Sequence, residues 1–239
     1  MLAINDATNV MPSVLRVAKV NIIMKGPIIL TICALKHCIK LWRFTCGLFA
    51  RLYLRLYNVE VGENLHMHSM PYCRTFGSGR IVIGNNVRIS NKLSENPAGI
   101  AHRTVLVALD KTILSVGDHS GLSGVTLYGR ENITIGKHCL LGANCSIYTT
   151  DFHPLSAQDR INRAHGMTAS APVFLEDSVW LCANVIVLKG VTIGRGSVIA
   201  AGSIVTRDIP RNVLAAGVPA KVIKQLNTEE KPNLATYHL

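Results

Sequence analysis

Leu175, Leu181, Val187, Ile193, Ile199 and Val205 stand six residues apart. Read from each aliphatic position, the hexads are LEDSVW, LCANVI, VLKGVT, IGRGSV, IAAGSI and VTRDIP. The second position is often small or acidic, as at Glu176, Gly194 and Ala200. The fifth is small or β-branched, as at Val179, Val185, Val191, Ser197, Ser203 and Ile209. A strand of an ordinary sheet alternates with period two, and an amphipathic helix repeats every 3.6 residues. Six consecutive matches fit neither, and Gly190, Gly194, Gly196 and Gly202 argue against a helix. A fixed short period marks a solenoid, in which each repeat buries its apolar side only against its neighbours. Three hexads then make one triangular turn of short parallel strands, with the aliphatic residue inward. The small residues are expected at tight corners, where Gly or Asn tolerates unusual backbone angles.

The beat recurs upstream in other phases. Ile135, Leu141 and Ile147 form one run, Val116 and Leu122 another, Ile83 and Ile89 a third, and Val61-Gly62 begins a fourth. The phase breaks near 91–112, 128–134 and 152–172 read as insertions. A solenoid carries such insertions as external loops, often beside its binding site. The expected organisation is a basic helical segment at 1–58, a mainly β solenoid at 59–215 and an exit segment with a short tail at 216–239.

Charge is unevenly spread. The chain carries a formal +11, of which +7 lies in residues 1–58 and +4 in the remainder. No nucleic-acid recognition motif accompanies the basic segment, which argues against nucleic acid as the partner. Placed on a helix from Lys36 to Leu56, Lys36, Lys40, Arg43, Arg51 and Arg55 share one face. Cys38, Leu41, Trp42, Leu48, Phe49, Leu52 and Leu56 share the other. A basic amphipathic helix with aromatic anchors suits an anionic lipid surface. The competing reading is a helical pair packed on the base of the solenoid or on a neighbouring subunit, capping an exposed coil end. The apolar run 26–35 is too short to span a bilayer. Seven cysteines, odd in number and without metal-site spacing, read as reduced thiols of a cytoplasmic protein that touches the membrane peripherally.

Ahead of the C-terminal beat stands Thr149-Thr150-Asp151-Phe152-His153-Pro154. Downstream come Val179-Trp180-Leu181, Lys189-Gly190-Val191-Thr192-Ile193-Gly194, Ala201-Gly202-Ser203-Ile204-Val205-Thr206, and Ala216-Gly217-Val218-Pro219-Ala220-Lys221-Val222-Ile223. Together these segments resemble the hexapeptide-repeat acyltransferases, in particular the maltose, galactoside, nodulation-factor and polysaccharide O-acetyltransferases. The resemblance is dense over 116–226, looser over 59–115 and absent over 1–58. It implies a left-handed parallel β-helix, a homotrimer with active sites between subunits, acetyl-CoA as co-substrate, a saccharide acceptor and no metal.

A sugar hydroxyl attacks a thioester only with a base in hydrogen-bond reach. His153 matches the family's catalytic His, and imidazole is the side chain that ordinarily titrates near neutral pH. By the same matching, Ala183 and Trp180 lie beside the acetyl group, where backbone N–H groups can meet a tetrahedral oxyanion. Trp180 also reads as an ordinary core residue of a coil. Ala201 and Thr206 match positions along the pantetheine arm, and Lys221 and Lys224 match basic positions near the CoA phosphates. Asp151 either orients the imidazole or, the reading favoured here, bonds its own backbone in a turn. Ser123 and Arg163 are further candidates for the acceptor side.

Two departures bear on the acceptor. Some sugar acetyltransferases carry an Asn in the coil before the catalytic His, where this chain reads Ser120-Gly121-Leu122-Ser123-Gly124. Some carry a Glu late in the loop after the His, where this chain reads Arg163-Ala164-His165-Gly166-Met167. The acceptor is therefore open between a glycan precursor and an antibiotic, amino sugar or other small metabolite. A non-catalytic scaffold and a zinc hydro-lyase are the other classes. The last needs three convergent His, and His119, His138, His153 and His165 form no close pair in one strand.

Overall fold

The computed structural model describes residues 52–67, 69–162 and 168–226. Residues 36–51 of the amphipathic helix expected over 36–56, Arg163 and His165, and the tail beyond 226 lie outside them.

The chain is mainly β, wound as a triangular parallel β-helix. Face A stacks Val59–Val61, Arg80–Ile83, Ile113–Val116, Ile133–Ile135, Val173–Leu175 and Thr192–Ile193. Face B stacks His66–Met67, Arg88–Ser90, Gly121–Ser123, Leu140–Leu141, Trp180–Leu181, Val198–Ile199 and Val213–Gly217, and ends with Ala220–Gln225. Face C stacks Tyr72–Thr75, Val105–Ala108, Thr126–Gly129, Ser146–Tyr148, Ile186–Val187 and Ile204–Val205. Each strand pairs in parallel with the strand one full coil later, the third strand on, or the second for Val198–Ile199, which pairs with Val213–Gly217. The exception is Val213–Gly217 with Ala220–Gln225, an antiparallel pair.

Alternation along each short strand sends one row inward. Ile83, Val116, Ile135, Leu175 and Ile193 are consecutive partners on face A, and all are buried. Leu122, Leu141, Leu181 and Ile199 do the same on face B, and Leu127, Ile147, Val187 and Val205 on face C. Each such side chain contributes about 1.5–3 kcal/mol of burial. The fifth hexad positions, Val179 to Ile209, are also buried and fill the corners.

The corners divide two tasks that the sequence reading had merged. At the corner from face A to face B, the second-position glycines Gly62, Gly84, Gly117, Gly136 and Gly194 do not have positive φ. They are small because the next coil passes against them. A Cβ on Gly136 would lie 2.7 Å from the Asp177 amide nitrogen, and one on Gly117 2.6 Å from the Gly136 carbonyl carbon. The left-handed backbone sits two residues later, at Asn64, Asn86, His119, His138, Ser178, Gly196 and Asn212. There the short polar side chains and Gly bear the cost of positive φ best.

The phase breaks are also refined. Residues 91–104 are a true excursion, but Val105–Ala108 is a regular face C strand. The break at 128–134 is only a longer turn between Thr126–Gly129 and Ile133–Ile135. The excursion after Tyr148 carries a short helix, Ala157–Ile161, whose N-cap Ser156 accepts a hydrogen bond from the Asp159 amide. Residues 52–56 are helical, and Leu54 is buried in the core at the start of the solenoid, while Leu52 and Leu56 are exposed. Among the described residues no helix is long and apolar enough to cross a membrane.

An alternating charge ladder climbs the A-to-B corner. Asp118 accepts from the Asn85 amide and from Lys137; Asp177 accepts from the Lys137 amide and from Arg195. Glu176 accepts from the Arg195 amide and from Arg211. The Asn85 amide is the largest cause holding Asp118 below the usual carboxylate range; the Lys137 amide does so for Asp177 and the Arg211 guanidinium for Glu176. A carboxylate whose folded pKa is depressed stabilises the fold above its unfolded pKa and loses that contribution as pH falls through the folded one. Thermal unfolding midpoints should therefore hold from neutrality down to about pH 5 and decline below about pH 4, near the unfolded carboxylate values. Neutralising Asp177 as D177N should flatten that decline in a pH series of melts. Separately, Gly136→Ala should cost about 1–3 kcal/mol in denaturant unfolding, because the obstructing atom is backbone and cannot swing away.

Candidate active site

His153 stands at the corner from face C to face A, exposed on the excursion that follows Ser146–Tyr148. The loop's root is tied on both sides. Thr150 and Ser170 form an antiparallel bridge, and the Asp151 amide donates to the Ala169 carbonyl at 3.1 Å. The buried Thr149 hydroxyl accepts from the amides of Arg130 and Glu131 at 2.8 and 3.0 Å. The His153 amide donates to the Asp151 carbonyl at 2.8 Å, a tight three-residue turn.

Between them, Phe152 adopts φ 65°, a left-handed conformation that is unusual for a bulky residue. Its ring packs against Tyr128 and Tyr148, at centroid distances of 4.9 and 5.5 Å. These ring contacts offset the strained backbone that sets the direction of His153.

Asp151 does not bond its own backbone through its side chain, as the sequence reading favoured. Its carboxylate takes the Lys189 ammonium at 2.5 Å, reaching across to the same corner one coil on. Asp151 is thus an anchor of the loop.

Trp180 is corrected from core to surface. Leu181 occupies the inward position, so alternation turns Trp180 outward, and its side chain is about half exposed, at 47%. It lines a cleft on face B with Arg88, Ser123, Leu140, Glu95 and Asn96. The last two belong to the 91–104 excursion. The Glu95 side chain is buried, accepting from the Ser69 hydroxyl at 2.7 Å and the Asn91 amide at 2.6 Å. The Asn91 side chain clasps the excursion's root, donating to the Ser69 carbonyl and accepting from the Thr104 amide. The Asn96 side-chain amide donates to the Ser123 hydroxyl at 3.0 Å. The coil that lacks an Asn therefore receives a carboxamide from a loop 27 residues away.

Five of the predicted site residues fall on two edges of the prism. Ala183 and Ala201 stack on successive coils at the corner from face B to face C, beside Trp180, and the Ala183 carbonyl accepts from the Gly202 amide. His153, Asp151, Lys189 and Thr206 lie at the corner from face C to face A. A face C strand and its flanking turns separate the two edges by roughly 15–20 Å, at about 3.3 Å per residue. Lys221 and Lys224 are exposed on the terminal antiparallel strand.

Burial disfavours the thiolate at each described cysteine. Burial pushes Cys73 up to about 12 and Cys139 and Cys145 up to about 11, and it raises Cys182 as well. His119 and His138 do stack, at 4.9 Å between centroids, but on adjacent coils at the A-to-B corner. Among the described residues no three His, Cys, Asp or Glu converge as a metal site.

Residues 172–207 match the bacterial transferase hexapeptide model (six repeats), and 132–150 match the hexapeptide repeat of succinyl-transferase. These matches identify hexapeptide repeats in two segments, and the coils around them form a left-handed parallel β-helix. The galactoside O-acetyltransferase of Escherichia coli is 42% identical over 107 residues, 45% of this chain and 51% of that protein. The galactoside O-acetyltransferase of Lactococcus lactis is 43% identical over 106 residues, 44% of this chain and 49% of that protein. The chain thus spans about half the length of these curated relatives. The polySia specific acetyltransferase NeuO has a similar fold, with a TM-score of 0.55 and 24% identity over 75% of this chain and 80% of that one.

Lys189→Met should release Asp151 and loosen the root of the His153 loop. The pair is partly exposed, so the stability cost should be about 1 kcal/mol or less. Cleavage within 155–162 under limited proteolysis should accelerate while the unfolding midpoint moves little. Unchanged cleavage would remove Lys189 as the anchor.

Proposed function

We propose that the protein is an O-acetyltransferase that moves an acetyl group from acetyl-CoA to a hydroxyl of a saccharide or glycan precursor, with His153 as general base. The observation that carries this reading is an exposed imidazole aimed by a strained, anchored turn, in a domain whose described thiols are held protonated by burial. Such a site favours direct transfer in a ternary complex over a covalent enzyme intermediate. The imidazole takes the proton of the sugar hydroxyl as its oxygen attacks the thioester carbonyl. The tetrahedral oxyanion collapses, the thiolate of CoA leaves, and the imidazolium returns the proton to it. The products are an acetyl ester and free CoA thiol.

The Ala183 N–H takes no partner among the described residues and is the natural donor to the oxyanion. Ala201 and Thr206 would flank the pantetheine arm, and Lys221 and Lys224 would meet the phosphates as mobile point charges. Because His153 and Ala183 sit on different edges of one prism, the working site is read as a composite. One copy brings the edge with His153 and Thr206, and the next brings the edge with Trp180, Ala183 and Ala201. Threefold closure supplies that pairing at every interface. The exposed Leu52 and Leu56, followed by Tyr57 and by Phe76 with the Arg74 guanidinium 5.0 Å from its ring, support a peripheral contact with anionic lipid at this end.

Acetyl transfer followed by release of free CoA thiol, over a panel of saccharides, tests the reading. His153→Ala should lower acceptor-dependent release by about 10²–10⁴-fold, the usual scale for losing a general base. Light scattering should show the assembly intact. Full turnover in that variant would reject His153 as the base, and no acetyl-CoA binding in the unaltered protein would reject the activity.

A further inference from the structure

We infer that the cleft on face B takes a sugar bearing an anionic group, and that Arg88 selects it. The inference rests on the acyltransferase reading for the order of donor and acceptor, but not for the cleft itself. Register gives that order. Arg88, Gly121, Leu140, Trp180, Val198, Leu214 and Lys224 are consecutive partners along face B. Strands lie about 4.8 Å apart, so Trp180 is roughly 14 Å from Arg88 and the same from Lys224. With the acetyl end of the donor at Trp180 and its phosphates at Lys224, the donor occupies one half of the row. Arg88 stands in the other half, roughly 29 Å from Lys224, and the exposed His66 is its partner one strand further on. That half is left to the acceptor.

Its chemistry fits a charged saccharide. Trp180 and Leu140 are about half exposed and form an apolar wall for the C–H face of a sugar ring. Gly121 leaves a notch between Leu140 and Arg88; a Cβ there would touch Leu140 Cδ2 at 3.4 Å. The floor is polar, with the Ser123 hydroxyl bonded to Asn96. Glu95 is the acidic residue lining the cleft, and its side chain is only 5% exposed. Its oxygens serve Ser69, Asn91 and Lys92, so they hold the loop and leave the Arg88 charge standing. The exposed Arg88 guanidinium has no ion-pair partner among the described residues. A neutral sugar needs no such charge, whereas a planar fork of donors matches a carboxylate or phosphate oxygen pair.

Calorimetry on the assembled full-length chain, without donor, tests this with three probes. These are a galacturonate-terminated oligosaccharide, a neutral galacto-oligosaccharide of equal length, and galactose 1-phosphate. At least one anionic probe should bind about tenfold or more tighter than the neutral one, and the two anionic probes tell carboxylate from phosphate. Arg88→Gln should bring that preference to within about twofold, and Arg88→Lys should restore part of it. Equal binding of neutral and anionic sugars, no binding of any, or a preference unchanged in R88Q would overturn the inference. So would an R88Q chain that dissociates while keeping its preference, since Arg88 would then be a contact between copies. Acetyl-CoA turnover, measured separately, decides the transferase reading whatever the calorimetry gives.

Discussion

Everything in this molecule follows from how closely one coil lies on the next. The backbone bonds that hold the prism run between coils, as from the Gly117 amide to the Ile135 carbonyl and from the Gly136 amide to the Leu175 carbonyl. At that spacing the corners have no room for a Cβ on the inner side of the turn, which is why the glycines recur there. The same spacing aligns the inward aliphatic rows, so one constraint sets both the core and the corners. It also fixes distances between outward side chains along a face, to about 4.8 Å per step. A site built on such a face inherits a ruler.

The repeat was legible because each coil reuses the same inward position. Leu175 to Val205 need only their own neighbours to be buried, and a local signal suffices for a local fold. The insertion at 91–104 was visible as a loss of phase. Its end was not, because an excursion of arbitrary length resets the count, and Val105–Ala108 was absorbed into it. The left-handed corner positions were half legible. Asn64, Asn86 and Asn212 announce themselves, whereas His119, His138, Ser178 and Lys111 do so only once their place in the coil is known.

At the site, the motif around His153 was readable and its surroundings were not. The Asp151–Lys189 pair joins residues 38 apart, and the Asn96–Ser123 bond joins residues 27 apart. Neither spacing carries any periodic signal, since each depends on where a loop folds back. Trp180 is different. Alternation beside the inward Leu181 is enough to turn it outward. The division of the site residues between two edges likewise needed the coil boundaries, which the motifs alone do not provide.

The last strand has a consequence for the molecule as a solid object. A parallel β-helix ends in unpaired backbone, and identical ends invite endless stacking into fibres. Here Ala220–Gln225 doubles back antiparallel and breaks the direction of winding on face B. Its outer edge carries Lys221 and Lys224 among the exposed Val222 and Ile223. Positive charge on an outermost strand repels a second copy that approaches edge to edge. Among the described residues this strand is the outermost of face B, so the lysines proposed for the donor's phosphates also place positive charge where end-to-end stacking would begin.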